Sequence, residues 1–230
     1  MTTIGKVRHI GTLVALAVLA GSPAMAEELP ATTHDGLELL SDTKVYAVYA
    51  RPGASLEQYT KVALVDCYVA FRKNWDRDYN RNASMGGRVN ADDMEKIKAG
   101  LAEEFKKVFT EELNEGGYEV VEHTGDDVLI IRPALINLDV TAPDVQSTSM
   151  TRTYVSSAGS VTLYAELFDS VTGDIIARVI DPEASDRGSF AMQANRVTNR
   201  AEADRILRKW AGLLRSHLGT VQDATKASEG

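Results

Sequence analysis

Asp76-Arg77-Asp78-Tyr79-Asn80 carries the opening D-x-D-x-N of a calcium loop, in which alternate side-chain oxygens close around a hard cation. Such a loop also needs glycine at its sixth position and a bidentate glutamate at its twelfth, where this chain has Arg81 and Gly87. The ligand set is incomplete, so the aspartates read as counter-charges to neighbouring arginines and no metal is expected. In the same stretch, Phe71, Arg72, Lys73, Trp75, Arg77, Tyr79, Arg81 and Arg88 interleave cations with aromatic rings. Guanidinium forks and ring faces together hold anionic or sugar-like ligands, or anchor a protein partner. Arg72, Trp75, Arg77, Tyr79, Arg81 and Arg88 are therefore the candidate binding residues. The competing use of Trp75 is to plug a sheet edge.

Asp76, Asp78 and Asp139 are the first suspects for a different chemistry. Two carboxyl groups about 5–9 Å apart hydrolyse glycosidic bonds when one has a raised pKa. Sequence spacing does not bring them together, so no catalytic residue is assigned. Other reaction types lack their residues. There is no G-x-S-x-G nucleophile elbow, and Ser157-Ala158-Gly159-Ser160 lies in a Ser/Thr-rich loop. There is no phosphate-cradling Gly-Lys-Ser/Thr loop and no strand-linked G-x-G-x-x-G, so no nucleotide or other cofactor is expected. His34, His123 and His217 stand in unrelated contexts, without the close pairs that hold zinc.

The address is written in the first 26 residues. Lys6 and Arg8 precede the apolar run Leu13–Ala20, and Ala24-Met25-Ala26 supplies a small–x–small cleavage pattern. That run is well short of the ~20 residues of a membrane-spanning helix. It predicts a signal peptide cut after Ala26 and a periplasmic location. Glu27 rather than a cysteine follows the cut, so a lipid anchor is not indicated. The net charge of -8 becomes two units more negative once Lys6 and Arg8 are removed. Nucleic acids and anionic membranes usually demand a basic footprint, so neither is an expected partner. Cys67 is the single cysteine, which excludes an intramolecular disulfide; its apolar setting KVALVDCYVAF predicts a buried thiol.

The elements that must position these residues belong to one domain, spanning 44–218. Residues 27–43 read as a flexible polar leader. Lys44–Ala50 and Val62–Phe71 read as strands, and Asn74–Arg88 as a polar loop. Asn90–Leu113 is the clearest helix: Asn90 can cap it, and Met94, Ile97, Leu101, Phe105, Val108 and Leu113 follow helical spacing. Tyr118–Val121 and Asp127–Val140 are further strands, with Pro133 arguing for an edge or a bulge. Ser160–Ser170 and Asp174–Ile180 form a hairpin whose turn contains Gly173. Arg200–Leu218 is a last amphipathic helix, and 219–230 reads as a disordered tail. The expected fold is α+β, a two-layer sandwich with a mainly antiparallel sheet covered on one face by two amphipathic helices.

Three segments resemble a known family. Val48-Tyr49-Ala50-Arg51-Pro52-Gly53-Ala54, with Tyr59, Val62 and Leu64, is similar to its opening. The hairpin Ala165–Asp174 (AELFDSVTGD) resembles its most recognisable segment, and Trp210-Ala211 with Leu214-Arg215 its closing helix. The family is the bacterial envelope group known as domain of unknown function 3313, here over roughly residues 40–218. The resemblance implies a periplasmic protein, often a lipoprotein, and brings no catalytic residue with it. The expected function is a non-catalytic binding or scaffolding component of the cell envelope, whose partner is an envelope protein or an anionic or glycan ligand. Two alternatives stand: a carboxylate-based hydrolase of an envelope glycan, and an oligomerising subunit with Thr141–Ser160 as its exposed edge.

Overall fold

β6 (Val128–Val140) is the strand around which the sheet is built. The computed structural model describes residues 29–83, 87–140, 153–155, 159–184, 192–194 and 196–228. The chain divides into two units, Met1–Pro30 and Ala31–Gly230, and every strand and helix among the described residues belongs to the second. On one side, β6 pairs antiparallel with β8 (Gly159–Asp169), which pairs with β9 (Ile175–Ala184). β9 then pairs with β2 (Ala47–Ala50), and β2 with the two-residue β1 (Glu38–Leu39). The β8–β9 turn is closed by Asp169, whose carboxylate accepts from the Val171 and Thr172 N–H groups at 2.9 and 2.7 Å. Gly173 there sits at φ 73°, the left-handed region that glycine enters without a Cβ clash.

The other side of β6 is parallel. β3 (Lys61–Leu64) pairs with Val128–Ile131, and β4 (Tyr68–Phe71) pairs with β6 from Ala134 to Leu138. β5 (Glu119–Val120) adds to the outside of β3. Among the described residues the sheet of eight strands is thus mixed, with four antiparallel and three parallel pairings, the longest ladders being antiparallel. The stretch 62–71, expected as one strand, is two. The reason lies on β6: Val65 N–H donates to the Ile131 carbonyl at 3.0 Å, so the backbone of Pro133, two residues on, faces the same side. Proline has no N–H to return to that strand, and the ladder breaks opposite it. Pro133 therefore lies in an interior strand, at a break in its neighbour.

Among the described residues three helices accompany the sheet, one more than expected. α1 (Trp75–Asn82) occupies the stretch read as a polar loop. α2 (Ala91–Glu115) begins with a reciprocal capping box, Asn90 accepting from the Asp93 N–H and Asp93 from the Asn90 N–H. α3 (Arg196–Ser228) starts earlier and runs ten residues beyond the expected Leu218 end, through much of the stretch read as a tail. Phe105, Val108 and Phe109 of α2 share one buried cluster with Ile206, Leu207, Trp210 and Ala211 of α3. Leu135 of β6, Leu163 and Ala165 of β8 and Val69 of β4 complete it. Cys67 belongs to this cluster, and burial pushes its thiol up to about 12. A second cluster joins Leu113 and Leu218 to Leu129, Ile131, Leu167 and Ala177. β7 (Thr153–Val155) and β10 (Met192–Ala194) form a separate two-stranded pair, and the rest of the predicted 141–160 edge lies largely outside the described residues.

The predicted leader also holds structure from Ala31 onward. Leu37 is fully buried, Leu39 N–H donates to the Ala31 carbonyl and Leu40 N–H to that of Val48. The buried Leu37 and the ion pair of Asp35 with Arg178 help to fix a stretch whose polar composition hides them.

Candidate functional site

α1 is held by its neighbours more than by its own sequence. Asp, Asn and Tyr are poor helix formers, and together they make up five of its eight residues. Asn74, at φ 60° and ψ 20°, takes the left-handed conformation that turns β4 sharply into the helix. Trp75 and Tyr79, one turn apart, then fall on the same side. Phe71 stacks on Trp75 at 4.2 Å between centroids, and Trp75 on Tyr79 at 5.4 Å. Trp75 is 1% exposed and its indole N–H donates to the Val140 carbonyl at 3.3 Å. Burial raises the pKa of the Tyr79 hydroxyl. Past the helix, the Asn80 amide donates to the Val89 carbonyl and accepts from its N–H, both at 2.8 Å.

Arg72 ties this stack to the sheet. Its Nε donates to Asp139 at 2.7 Å and its Nη1 to Asp78 at 3.0 Å. Two of the three suspected catalytic carboxylates are therefore brought together, with a guanidinium between them. The hydrogen bond from Arg72 holds the Asp78 carboxyl below its ordinary value, opposite in direction to what a general acid needs. Asp76 is exposed and does not join them. The calcium-loop reading meets the same geometry. Asp76, Asp78 and Asn80 lie on a helix, where alternate residues diverge by about 200° around the axis, and the last two are engaged with Arg72 and Val89. Among the described residues no group of three or more His, Cys, Asp and Glu side chains could hold a metal ion.

The structure does not bring the six predicted binding residues together on one surface. Arg72, Trp75 and Tyr79 face inward and hold α1 in place. Arg77 and Arg81 are exposed and one helical turn apart, with Lys73 exposed just before the helix. Arg77 approaches Asp78 at 3.4 Å with its side chain 62% exposed, a pairing worth about 0–1 kcal/mol. Arg88 is exposed beyond residues 84–86, two positions before the α2 cap, and is not joined to the others by any contact among the described residues.

A second polar assembly crosses β6, β8 and β9 in register, and motif spacing did not single it out. Arg132, Glu166 and Arg178 stand directly opposite one another in successive strands. Glu166 accepts from Arg132 on one oxygen, and on the other from Arg178 at 2.8 and 3.0 Å and from the Tyr164 hydroxyl at 3.0 Å. Arg178 then reaches Asp35 through two bonds, 2.7 and 3.1 Å. Glu166 and Arg178 are 7% and 9% exposed. Burial works to raise the Glu166 pKa, but its hydrogen bonds with the two arginines prevail and hold it below the ordinary value. The available signal was an arginine and a glutamate inside otherwise apolar strands, where an unpaired charge would be costly.

With this geometry in hand, comparison with known proteins fixes the family. Residues 34–214 match the model described as Protein of unknown function (DUF3313). The chain belongs to this family. No curated protein matches it. Among solved structures, a PelC dodecamer from Paraburkholderia phytofirmans is similar at 12% identity and TM-score 0.36, covering 73% of this chain and 95% of that one. A DUF330 protein from Xanthomonas campestris gives 11% identity and TM-score 0.41, over 79% and 94% of the two chains. A DUF4136 protein from Bacteroides thetaiotaomicron gives 14% and 0.37, over 80% and 98%.

The family match takes in β1 through most of α3, and with them α1 and the Arg132–Glu166–Arg178–Asp35 assembly. The DUF3313-like hairpin segment Ala165–Asp174 forms the end of β8 and its turn into β9, and Trp210-Ala211 lies on α3 in the core. Among the described residues, no helix of this family member is long and apolar enough to cross a membrane.

Proposed function

We infer that this DUF3313 protein is exported, cut after Ala26, and acts in the periplasm as a binding or scaffolding component of the cell envelope that catalyses no reaction. In this reading α2 and α3 close one face of the sheet, and the outer side of α1 is the contact surface. Its partner is an acidic envelope protein or an anionic glycan. One observation carries the reading: Arg77 and Arg81 stand exposed on a helix whose inner side is fixed by the Phe71–Trp75–Tyr79 stack and the Arg72 bridge. Rigid presentation lowers the ordering cost of binding, and cations on a chain of net charge -8 select acidic partners over like copies of its general surface. The ionised, arginine-bound state of Asp78 weighs for binding and against hydrolysis.

The test places a photo-crosslinking side chain at the exposed Asp76 in the full-length chain, expressed in intact cells. A discrete adduct that disappears in the R77E/R81E double variant is expected. The same adduct pattern from a probe at Val171, 60% exposed on the hairpin turn, would refute the surface. N-terminal sequencing of the periplasmic fraction should read Glu27 first, and an intact Met1 would refute the address.

A further inference from the structure

The row of charges across β6, β8 and β9 alternates in sign and ends differently on its two sides. Leu129, Ile131 and Leu135 of β6 are buried with residues of α2 and α3, so alternation turns Ile130, Arg132 and Ala134 to the opposite side of the strand. At one end of the row Arg178 gives its Nε and Nη2 to one oxygen of Glu166, and its Nη1 and Nη2 to the two oxygens of Asp35. At the other end Arg132 repeats the first half of that arrangement, with Nε and Nη2 on the second oxygen of Glu166. Its Nη1–Nη2 edge meets no carboxylate among the described residues, and its side chain is 59% exposed. One glutamate therefore serves two guanidiniums, and only Arg178 has a second counter-ion.

The surroundings of Arg132 are apolar and open. The guanidinium lies 4.6 Å from the centroid of the Phe168 ring. Leu64 pairs in parallel with Ile131, which sets Val65, 44% exposed, beside Arg132. Tyr68 pairs with Ala134, two positions farther along the same side of β6, and is 66% exposed. The chain also shows what completes such an end: Asp35 comes from outside the sheet to grip Arg178 with both oxygens, while Leu37, two residues on, is fully buried.

We propose that Arg132, Val65 and Tyr68 form a further docking site, which takes an extended segment of a partner protein carrying an acidic residue two positions before a large apolar one. The partner's carboxylate takes the Nη1–Nη2 edge of Arg132, as Asp35 takes that of Arg178. Its apolar side chain covers Val65 and the Tyr68 ring. Arginine and tyrosine are the residue types that carry most of the energy in such contacts. The site shares no residue with the Arg77–Arg81 surface, so either can fail alone.

The probe is the pentapeptide THDGL, residues 33–37, blocked at both ends and added at millimolar concentration to isotope-labelled protein of residues 27–230. The amides of Val65, Tyr68 and Ala134 should shift saturably. Asparagine in place of the peptide's aspartate removes a charged bidentate contact and should weaken binding about tenfold. R132Q should abolish the shifts and keep the fold, because Glu166 retains Arg178 and the Tyr164 hydroxyl. Y68A, at an exposed position, should weaken binding with Arg132 intact. Shifts confined to residues 33–37 would mean that the peptide only displaces Asp35 and would overturn the site. So would silent amides, equal binding of the asparagine peptide, or binding undiminished in R132Q or Y68A. Octanoate shifting these amides where the peptide does not would assign the face to lipid carboxylates and overturn it as well.

Discussion

Asp35 and Arg178 are 143 positions apart in the chain and are joined by two hydrogen bonds, 2.7 and 3.1 Å long. Through that contact the stretch just before β1 is fastened to β9, and through Arg178 to Glu166 and Arg132. Hydrogen bonding from Arg178 first, and from Thr33 second, holds the Asp35 carboxyl well below its ordinary value. A carboxylate depressed in the folded state stabilises the fold above its unfolded pKa, about 3.9, and loses that contribution as pH falls toward the depressed value. D35N should therefore lower the thermal midpoint at neutral pH, and the gap to wild type should close in strong acid. The Leu39 and Leu40 amides, bonded to Ala31 and Val48, should exchange faster in the variant. Equal exchange in both proteins would show that Leu37 alone holds the segment.

Glu166 should be less tolerant than Asp35. It is buried between two arginines, and deleting its charge leaves Arg178 nine-tenths buried with one counter-ion fewer. Breaking a buried pair from one side costs about 3–5 kcal/mol. E166Q keeps the shape and a hydrogen-bond acceptor, so chemical denaturation should place it between wild type and E166A. A loss no larger for E166A than for E166Q would mean that charge, not shape, is what the arginines need.

Trp75 separates packing from recognition. Replacing it with alanine empties the middle of a three-ring stack, and large-to-small core changes of this kind cost about 3–5 kcal/mol. W75A should unfold at markedly lower denaturant, and W75F should recover part of the loss. Both should still capture the envelope partner below their unfolding midpoints, because Arg77 and Arg81 form the outer contact. Full stability with capture abolished would reverse the assignment of Trp75 to the interior.

How far each element was legible in the sequence depends on where its information lies. β6, the β8–β9 hairpin, α2 and α3 bury one side of a regular period, and Leu101, Phe105, Val108 or Ile206, Trp210 and Leu214 display it locally. α1 does not: its residues favour turns, and the helix exists because Trp75 finds Phe71, Tyr79 and the Val140 carbonyl. The division of β3 from β4 is encoded by Pro133, on a strand that comes more than sixty residues later. Parallel pairing likewise leaves no mark on β3 or β4 themselves. At the candidate site, residue types were legible and directions were not. Arg72 and Arg77 look alike in sequence, yet one is enclosed by two aspartates and the other faces solvent.

The Cys67 thiol should report unfolding. Burial pushes its pKa up to about 12, so at pH 8 almost none of it is the reactive thiolate. Alkylation in the native state should be slow and should accelerate in step with denaturation followed by Trp fluorescence. Rapid native labelling would place the thiol at the surface and outside the cluster of Val69, Phe105 and Leu135.

Gly159 links the sheet to the candidate site through backbone alone. It starts β8 at φ 149°, and a Cβ there would lie 2.3 Å from the Asp139 carbonyl oxygen. No side-chain rotation relieves a clash with backbone, so G159A must displace the β6 strand at Asp139 or leave the conformation that L residues rarely adopt, at about 1–3 kcal/mol. Asp139 is also the nearer counter-ion of Arg72. The variant should thus lose stability and, in addition, loosen α1, seen as faster exchange of the Trp75 indole N–H. D139N keeps the backbone and weakens only the Arg72 bond, so it should loosen α1 with a smaller loss of stability. If G159A matches wild type in both measurements, the close approach of Gly159 to Asp139 is not a feature of the folded protein.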